Sequence, residues 1–176
     1  MVKGTFEMKM LPRLETLSEK KLVGIRLDMS FDNNKTRDLW QSFMPRRKEI
    51  KNHLNKDFYS IEIYKPHFFD QYNPDTEFQK WAAIEVTDFD QVPNEMNTIV
   101  LPSGLYVVFL HKGPASDGPI TYQYIFGTWI PNSEFEIDNR PHFALMGQKY
   151  KHDDPDSEEE IWIPVRMKKQ YTYFTE

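Results

Sequence analysis

The feature that most constrains the fold is an order of predicted elements that occurs twice along the chain. In its first occurrence, residues 20–31 alternate apolar and polar side chains, which predicts a strand because successive side chains of a strand point to opposite faces. Residues 33–54 carry apolar residues at helical spacing, and Pro45 should end or bend that helix. Residues 57–66 and 78–89 alternate again. The first half therefore reads strand, helix, strand, strand.

The same order returns in the second half of the chain. Residues 96–114 hold two apolar runs that are interrupted near Gly104, where we predict a bend that needs positive φ or a close approach of the backbone. Residues 120–133 predict an apolar helix closed by its proline, and residues 142–150 and 157–169 predict two further strands. Literal sequence identity between the halves is weak, so the repeat rests on element order.

Composition excludes several functional classes. The formal net charge of -5 and the pI near 5.6 argue against non-specific nucleic-acid binding, which needs a basic face. The absence of cysteine excludes disulfides and thiolate catalysis. No apolar run approaches the roughly 18 residues of a membrane span, and the first 21 residues lack the apolar stretch of a secretory signal. We therefore expect an acidic cytoplasmic protein with no membrane partner.

Motifs for metals, cofactors and phosphates are scarce in the sequence. The histidines show no metal-ligand spacing; they are His53, His67, His111, His142 and His152. No glycine-rich phosphate loop is present, and the serines lack the surroundings of an activated nucleophile. We predict neither a metal site nor a cofactor.

Three spaced segments carry a family resemblance: "LPSGLYVVFLHKGP", "YQYIFGTWIPNS" and "EEEIWIPV". They resemble successive signatures of the GyrI-like small-molecule-binding domain, the effector-binding module of some AraC-type and MerR-type transcription regulators. Upstream stretches are similar to stand-alone members. The resemblance implies an α+β fold of two tandem strand-helix-strand-strand units that are related by a pseudo-twofold axis. It also implies an antiparallel sheet and a central pocket, often for aromatic or cationic compounds.

The resemblance covers most of the chain and sets the predicted domain organisation. We predict a single domain over residues 12–168, with halves at about 20–88 and 96–167, an N-terminal arm at 1–11 and a C-terminal tail at 169–176. About 20 residues precede the first predicted strand, which is too few for an independent DNA-binding domain. We therefore expect no sequence-specific DNA binding by this chain alone.

The last predicted strand contains the leading site candidate. In the family, a glutamate four residues before the proline of this strand faces the pocket, and Glu160 occupies that position. The alternative is that Glu160 is the last exposed residue of an acidic turn. Glu158 and Glu159 are predicted to be surface acids. Many relatives carry an acid where this chain has Ala144, which implies a less charged pocket and leaves selectivity for dications open.

Strand parity adds further candidates. Tyr64, Trp81 and Glu85 fall opposite the aliphatic faces of their strands, as Trp162 does, so they could line one cleft with Glu160. A cation over a tryptophan or tyrosine ring gains about 0.5–2 kcal/mol. Tyr106 matches a tyrosine that is frequent in the family. The alternative is that the tryptophans are ordinary packing residues, because large aromatics are buried on average.

These observations favour a binding protein over an enzyme. The first hypothesis is a stand-alone sensor or sequestering protein for an aromatic, cationic or amphipathic small molecule. The second is a hydrolase in which Glu160, with Tyr106 or Tyr64, acts on an electrophilic substrate. The third is a protein-interaction module without a ligand. The sequence alone determines neither the ligand nor the oligomeric state.

Overall fold

The structure is a computed structural model in which residues 12–169 are described. The predicted arm at 1–11 and all but the first residue of the predicted tail lie outside these residues. The described elements, in chain order, are β1 (Arg13–Leu17), β2 (Lys20–Met29), α1 (Thr36–Arg46), β3 (Phe58–Ile63), β4 (Phe78–Glu85), β5 (Asn97–Leu101), β6 (Gly104–Lys112), α2 (Gly118–Tyr124), a π-helical turn (Ile125–Trp129), α3 (Ile130–Asn132), β7 (Phe135–Ile137), β8 (His142–Met146) and β9 (Glu158–Met167).

All strand pairs of the sheet are antiparallel, in the order β1-β6-β9-β8-β3-β4-β2-β5, and β7 pairs with β9. The sheet has the same order of equivalent strands from either edge. The equivalent pairs are β1 and β5, β6 and β2, β9 and β4, and β8 and β3. The two halves meet at the β3–β8 pair. The predicted α+β fold with two strand-helix-strand-strand units and an antiparallel sheet is therefore confirmed.

The pairing register shows how accurate this internal symmetry is. Leu17 of β1 pairs with Gly104 of β6. Adding 82 to the first number and subtracting 82 from the second gives Ile99 and Leu22, which are also paired, between β5 and β2. The register of the β1–β6 ladder therefore recurs in the β2–β5 ladder, although sequence identity between the halves is weak.

The first strand of each half is exchanged between the halves. β1 pairs with β6 of the second half, and β5 pairs with β2 of the first. β1 lies before the first strand predicted from the sequence, which begins at residue 20, because five residues with exposed charges give no clear alternation. The three-residue strand β7 was not predicted either. The exchange ties the two halves together through both edges of the sheet.

The two faces of the sheet have different surroundings. On the helix face, α1 packs on β2 and β4, and the segment from α2 to α3 packs on β6, β7 and β9. The opposite face, called here the helix-free face, has its own buried cluster. Its members are Leu17, Leu22, Tyr59, Ile61, Trp81, Ala83, Leu101, Tyr106, Val108 and Phe143. This second cluster is buried because the sheet curls on itself.

Prolines and glycines act close to where the sequence predicted. Pro45 lies inside α1 one residue before its end, and a short 3-10 turn follows. Pro131 likewise lies one residue before the end of its helical segment, which finishes at Asn132. Gly104 has a φ of 155°, and a Cβ there would lie 2.2 Å from Nη1 of Arg140. The predicted bend at Gly104 is confirmed.

Candidate functional site

Five of the six predicted ligand-binding residues lie together on the helix-free face: Glu160, Trp162, Trp81, Glu85 and Tyr106. Trp81 and Tyr106 belong to the buried cluster of this face, and Trp162 packs against it. The Trp162 ring lies 5.8 Å from that of Tyr106. Parity within β4 and β9 places Glu85 and Glu160 on the same side.

Tyr64, the sixth predicted residue, lies on the helix face. Tyr64 was grouped with the others because it lies opposite the aliphatic side of its strand. That grouping is valid only if the aliphatic side of every strand faces the helices. In the central strand β3 the reverse holds, because Ile61 belongs to the helix-free cluster and Glu62 therefore points to the helix face. Tyr64 follows on that side and packs beside α1. The structure thus does not bring Tyr64 to the other five.

Glu160 is held by groups of the chain itself. Arg13 of β1 donates to its Oε1 at 2.7 Å, and Nε1 of Trp162 donates to its Oε2 at 3.0 Å. The Arg13 guanidinium also lies 5.8 Å from the centre of the Trp162 ring. The side chain of Glu160 is 28% exposed, so the carboxylate is neither free nor at a solvated turn.

The first half repeats the contact between indole and side-chain acceptor, with an amide in place of the acid and with an arginine from a strand that is not equivalent to β1. Trp81 corresponds to Trp162 under the internal symmetry, with a shift of 81 residues in this strand. Its Nε1 donates to Oε1 of Gln79 at 2.7 Å, and the Arg26 guanidinium lies 5.8 Å from its ring centre. A repeated contact between indole, side-chain acceptor and arginine is the structural explanation for the tryptophan beside Glu160.

The other polar groups of this face are also satisfied internally. Glu85 accepts from Lys20 at 3.0 Å and from the Tyr59 hydroxyl at 3.0 Å. Tyr106 is fully buried and donates to the carbonyl of Pro141 at 2.9 Å; burial raises the pKa of Tyr106 to about 12. Among residues 12–169, Glu160 has no hydrogen bond to a tyrosine. The carboxylates of Glu85 and Glu160 each already form an ion pair. Ligand binding through these residues stays a prediction.

A second candidate lies on the helix face between α1 and the α2–α3 segment, over the central strands β3 and β8. We call it the interhelical groove. Its floor has a row of small side chains, because Ser60 pairs with Ala82 on one side and with Ala144 on the other. Larger groups flank this row and rise around it; they are Glu62, Tyr64, Phe69, Lys80, Tyr122, Phe126, His142 and Glu159.

The walls of the interhelical groove are aromatic and connect the two halves. Phe69, from the loop after β3, stacks on Phe126 of the π-helical turn at 4.9 Å and on His142 at 5.7 Å. Tyr64 packs edge-on against His142 at 5.0 Å, and Tyr122 stacks on Phe126 at 6.3 Å. Stacked and edge-on rings of this kind offer flat apolar surfaces to an aromatic ligand.

A cavity of about 530 Å³ opens at one end of the interhelical groove. The volume is within the range of about 300–1,000 Å³ that is typical of small-molecule sites, but Glu159, Tyr122 and Phe126 of the groove do not line this cavity. The lining includes Tyr64, Phe69 and His142 from the groove, together with Ile130, Phe135 and Arg140.

Glu159 is the acid of the groove that has no partner. It follows Glu158 on β9 and shares the helix face with Ile161, so the expectation of a surface acid was wrong. Within residues 12–169 its carboxylate has no hydrogen bond or ion pair, and both nitrogens of the facing His111 bond elsewhere. Burial raises the pKa of Glu159, and its electrostatic interactions with His111, Lys80 and His152 offset this only in part.

The remaining groups of the groove carry no net charge near pH 7. Glu62 forms an ion pair with Lys80 in which both side chains are largely buried. Burial lowers the pKa of His142 to about 3, so its ring is neutral. Burial also raises the pKa of Tyr64 and of Tyr122 well above the ordinary value. Perturbed titratable groups that converge on a cleft are typical of functional sites. Among the described residues of the groove, Glu159 is the acid without an ion pair.

The sequence itself held a signal for Glu159. A carboxylate at the start of the aliphatic row Ile161 and Ile163 is a polar residue on a buried face, which usually has a specific role. Tyr122 gave a similar signal as a tyrosine on the buried side of an apolar helix. By contrast, no sequence pattern assigns Phe69 and Phe126 to one site, because they are 57 residues apart and meet through the fold.

Clusters of metal-ligand side chains and membrane-spanning helices are both absent from the part of the chain that the structure describes. Across these residues, no group of three or more His, Cys, Asp or Glu side chains could hold a metal ion. No helix between residues 12 and 169 is long and apolar enough to cross a membrane.

Comparisons with known proteins show the family. The GyrI-like small molecule binding domain family matches residues 10–166. The transcriptional regulator BrlR of Pseudomonas aeruginosa is 27% identical over 146 residues, which cover 82% of this chain and 51% of BrlR, so the chain spans about half the length of this curated relative.

Two solved structures show the shared fold. The EcmrR C-terminal domain has a TM-score of 0.66 at 17% identity, covering 90% of this chain and 98% of that domain. SAV2435 bound to tetraphenylphosphonium has a TM-score of 0.63 at 18% identity, covering 89% and 94%. With a family match over nearly the whole described region, the chain belongs to the GyrI-like small-molecule-binding domain family.

Proposed function

We propose that the interhelical groove binds a small aromatic molecule with one positive charge, and that the protein acts as a sensor or sequestering module for such compounds. The observation that carries the proposal is Glu159, a partly buried carboxylate without a hydrogen bond or ion pair among the described residues. A carboxylate in such surroundings is costly unless a cation joins it. A cationic ligand supplies that partner.

The walls of the groove supply the rest of the recognition. Tyr64, Phe69, Tyr122 and Phe126 present rings to the same space, and a cation over such a ring gains about 0.5–2 kcal/mol. The relative SAV2435 was solved with tetraphenylphosphonium, an aromatic monocation, which supports this ligand class. Burial of about 200 Å² of apolar ligand surface adds roughly 5 kcal/mol, so affinities near micromolar are expected after ordering costs.

The pH dependence of binding tests the proposal. Only the ionised form of Glu159 attracts a cation, and burial raises its pKa above the ordinary value of 4.5. We therefore expect the affinity for tetraphenylphosphonium to be highest above the raised pKa and to fall as pH drops through it, by up to about tenfold per pH unit below it. Isothermal titration calorimetry between about pH 8 and pH 5 measures this.

The matched control is triphenylphosphine oxide, which keeps three phenyl rings and has no net charge. Its affinity should stay nearly constant over the same pH range. Parallel losses for both compounds would show that acid perturbs the fold instead of the charge of Glu159. Absence of tetraphenylphosphonium binding at neutral pH would reject the proposed ligand class.

A further inference from the structure

We propose that Lys80 determines how many positive charges a ligand of the interhelical groove can carry. The inference rests on the proposed function, because it concerns the same site. Glu62 and Glu159 both face the groove, but Lys80 neutralises Glu62 and leaves Glu159 as the charge available to a ligand. Lys80 thus occupies the position that the second charge of a dication would need.

The ion pair between Lys80 and Glu62 is built into the sheet. The two residues are direct cross-strand partners of β3 and β4, and their ammonium and carboxylate groups are in contact. Only 13% of the Lys80 side chain and 9% of the Glu62 side chain are exposed. The pair is therefore shielded from the screening that makes surface ion pairs weak, and a ligand cation has to displace Lys80 in order to reach Glu62.

The two acids are far enough apart to bind separate charges. Glu62 pairs with His142 on the neighbouring strand β8, and Glu159 lies on the strand beyond it, near the opposite end of the groove floor. With strands about 4.8 Å apart and residues about 3.3 Å apart along a strand, the backbones of the two acids are separated by roughly 16 Å. The two carboxylates still interact electrostatically. An elongated aromatic dication matches this spacing, and a compact monocation needs only Glu159.

Two related amidines test the inference: DAPI, a flat aromatic dication, and its mono-amidine analogue, which lacks one charged end. The wild-type protein should bind the mono-amidine at least as tightly as DAPI, because the second amidinium meets Lys80. The Lys80→Met variant frees Glu62 and should bind DAPI about tenfold or more tightly than the mono-amidine. The Lys80→Arg variant keeps the cation and should behave as the wild type.

The variant Glu62→Gln provides an independent readout. It is also usable if Lys80→Met does not fold, since Lys80→Met leaves the buried carboxylate of Glu62 without a partner. Here Lys80 loses its partner and repels ligand cations, so the affinity for the mono-amidine should fall about fivefold or more. The double variant Lys80→Met with Glu62→Gln removes both charges and should restore wild-type affinity for the mono-amidine without a gain for DAPI.

The outcomes separate this inference from the proposed function. If tetraphenylphosphonium and the mono-amidine bind the wild type, but neither Lys80→Met nor Glu62→Gln changes the ratio of mono-amidine to DAPI affinity, Lys80 has no role in selectivity and the inference is overturned. If no monocation binds the wild type at all, the proposed function itself fails. Tighter binding of DAPI than of the mono-amidine by the wild type would likewise overturn the role of Lys80.

Discussion

Replacement of Glu159 by glutamine should weaken the binding of tetraphenylphosphonium by roughly 10- to 100-fold, the scale of an interaction with a charged group in a partly buried site. Glutamine keeps the shape of the side chain and removes its charge. The affinity for triphenylphosphine oxide should therefore change by less than about threefold. Calorimetric titration of both compounds into both proteins measures the difference.

The same substitution should stabilise the protein without ligand. Burial raises the pKa of Glu159 in the folded state, so the folded protein binds more protons than the unfolded chain around that pKa, and stability falls as pH rises through it. Near pH 7 the ionised carboxylate is thus a net cost, which Glu159→Gln removes. We expect the melting temperature to rise by roughly 1–4 °C, given about 2–4 °C per kcal/mol for a domain of this size.

The two neighbouring acids provide controls for the Glu159 result. Glu158 pairs with Lys149, whose side chain is exposed, so Glu158→Gln should have only a small effect on stability and none on binding in the groove. Glu160→Gln removes the partner of Arg13 and an acceptor of Trp162 and should lower stability. If Glu160→Gln weakens the cation selectively and Glu159→Gln does not, the family-based assignment of the pocket glutamate to Glu160 is correct and the groove assignment is wrong.

Replacement of Gly24 by alanine should have the largest effect on the fold. A Cβ at Gly24 would lie 2.1 Å from the carbonyl oxygen of Ala82 and 2.7 Å from the Cα of Ala83. Both atoms belong to the backbone of the paired strand β4, so no side-chain rotation relieves the contact and the β2–β4 ladder has to separate. We expect a loss of at least about 3 kcal/mol in the free energy of unfolding and a fall in melting temperature of roughly 6–12 °C.

Gly127 provides the matched control for Gly24. It lies in the π-helical turn, and no atom lies within 4 Å of the position that an added methyl group would take. Gly127→Ala should therefore change the free energy of unfolding by less than about 1 kcal/mol. Urea denaturation of the three proteins measures the differences. A Gly24→Ala protein as stable as the wild type would show that β2 and β4 do not approach each other this closely.

The order of elements and the direction of side chains within each strand could be read from the sequence, because period-two and period-3.6 patterns are local. Which face of a strand meets the helices is not determined by a local sequence pattern, because it depends on the packing of the whole sheet. Ile61 and Ile63 belong to a central strand whose aliphatic side points away from the helices, and this inversion moved Tyr64 to the other face. In β9, by contrast, the aliphatic side faces the helices, and Glu159 lies on that side at the groove.

Contacts between segments that are far apart in the sequence could not be predicted from it either. Glu160 was recognised as unusual beside Trp162, but its main partner Arg13 lies 147 residues earlier, on a strand exchanged between the halves. The pairing of β1 with β6 depends on the symmetry of the whole sheet, and no local pattern encodes it. The aromatic walls of the groove likewise combine a loop of the first half with a helix of the second.

The most direct test of the central claim is a crystal structure of the protein with tetraphenylphosphonium. We expect the phosphonium in the interhelical groove, with phenyl rings against Phe69 and Phe126 and the positive charge nearest to Glu159. Arg13 should remain bonded to Glu160 on the opposite face. A ligand bound against Trp162 on the helix-free face, with Arg13 displaced from Glu160, would contradict the claim.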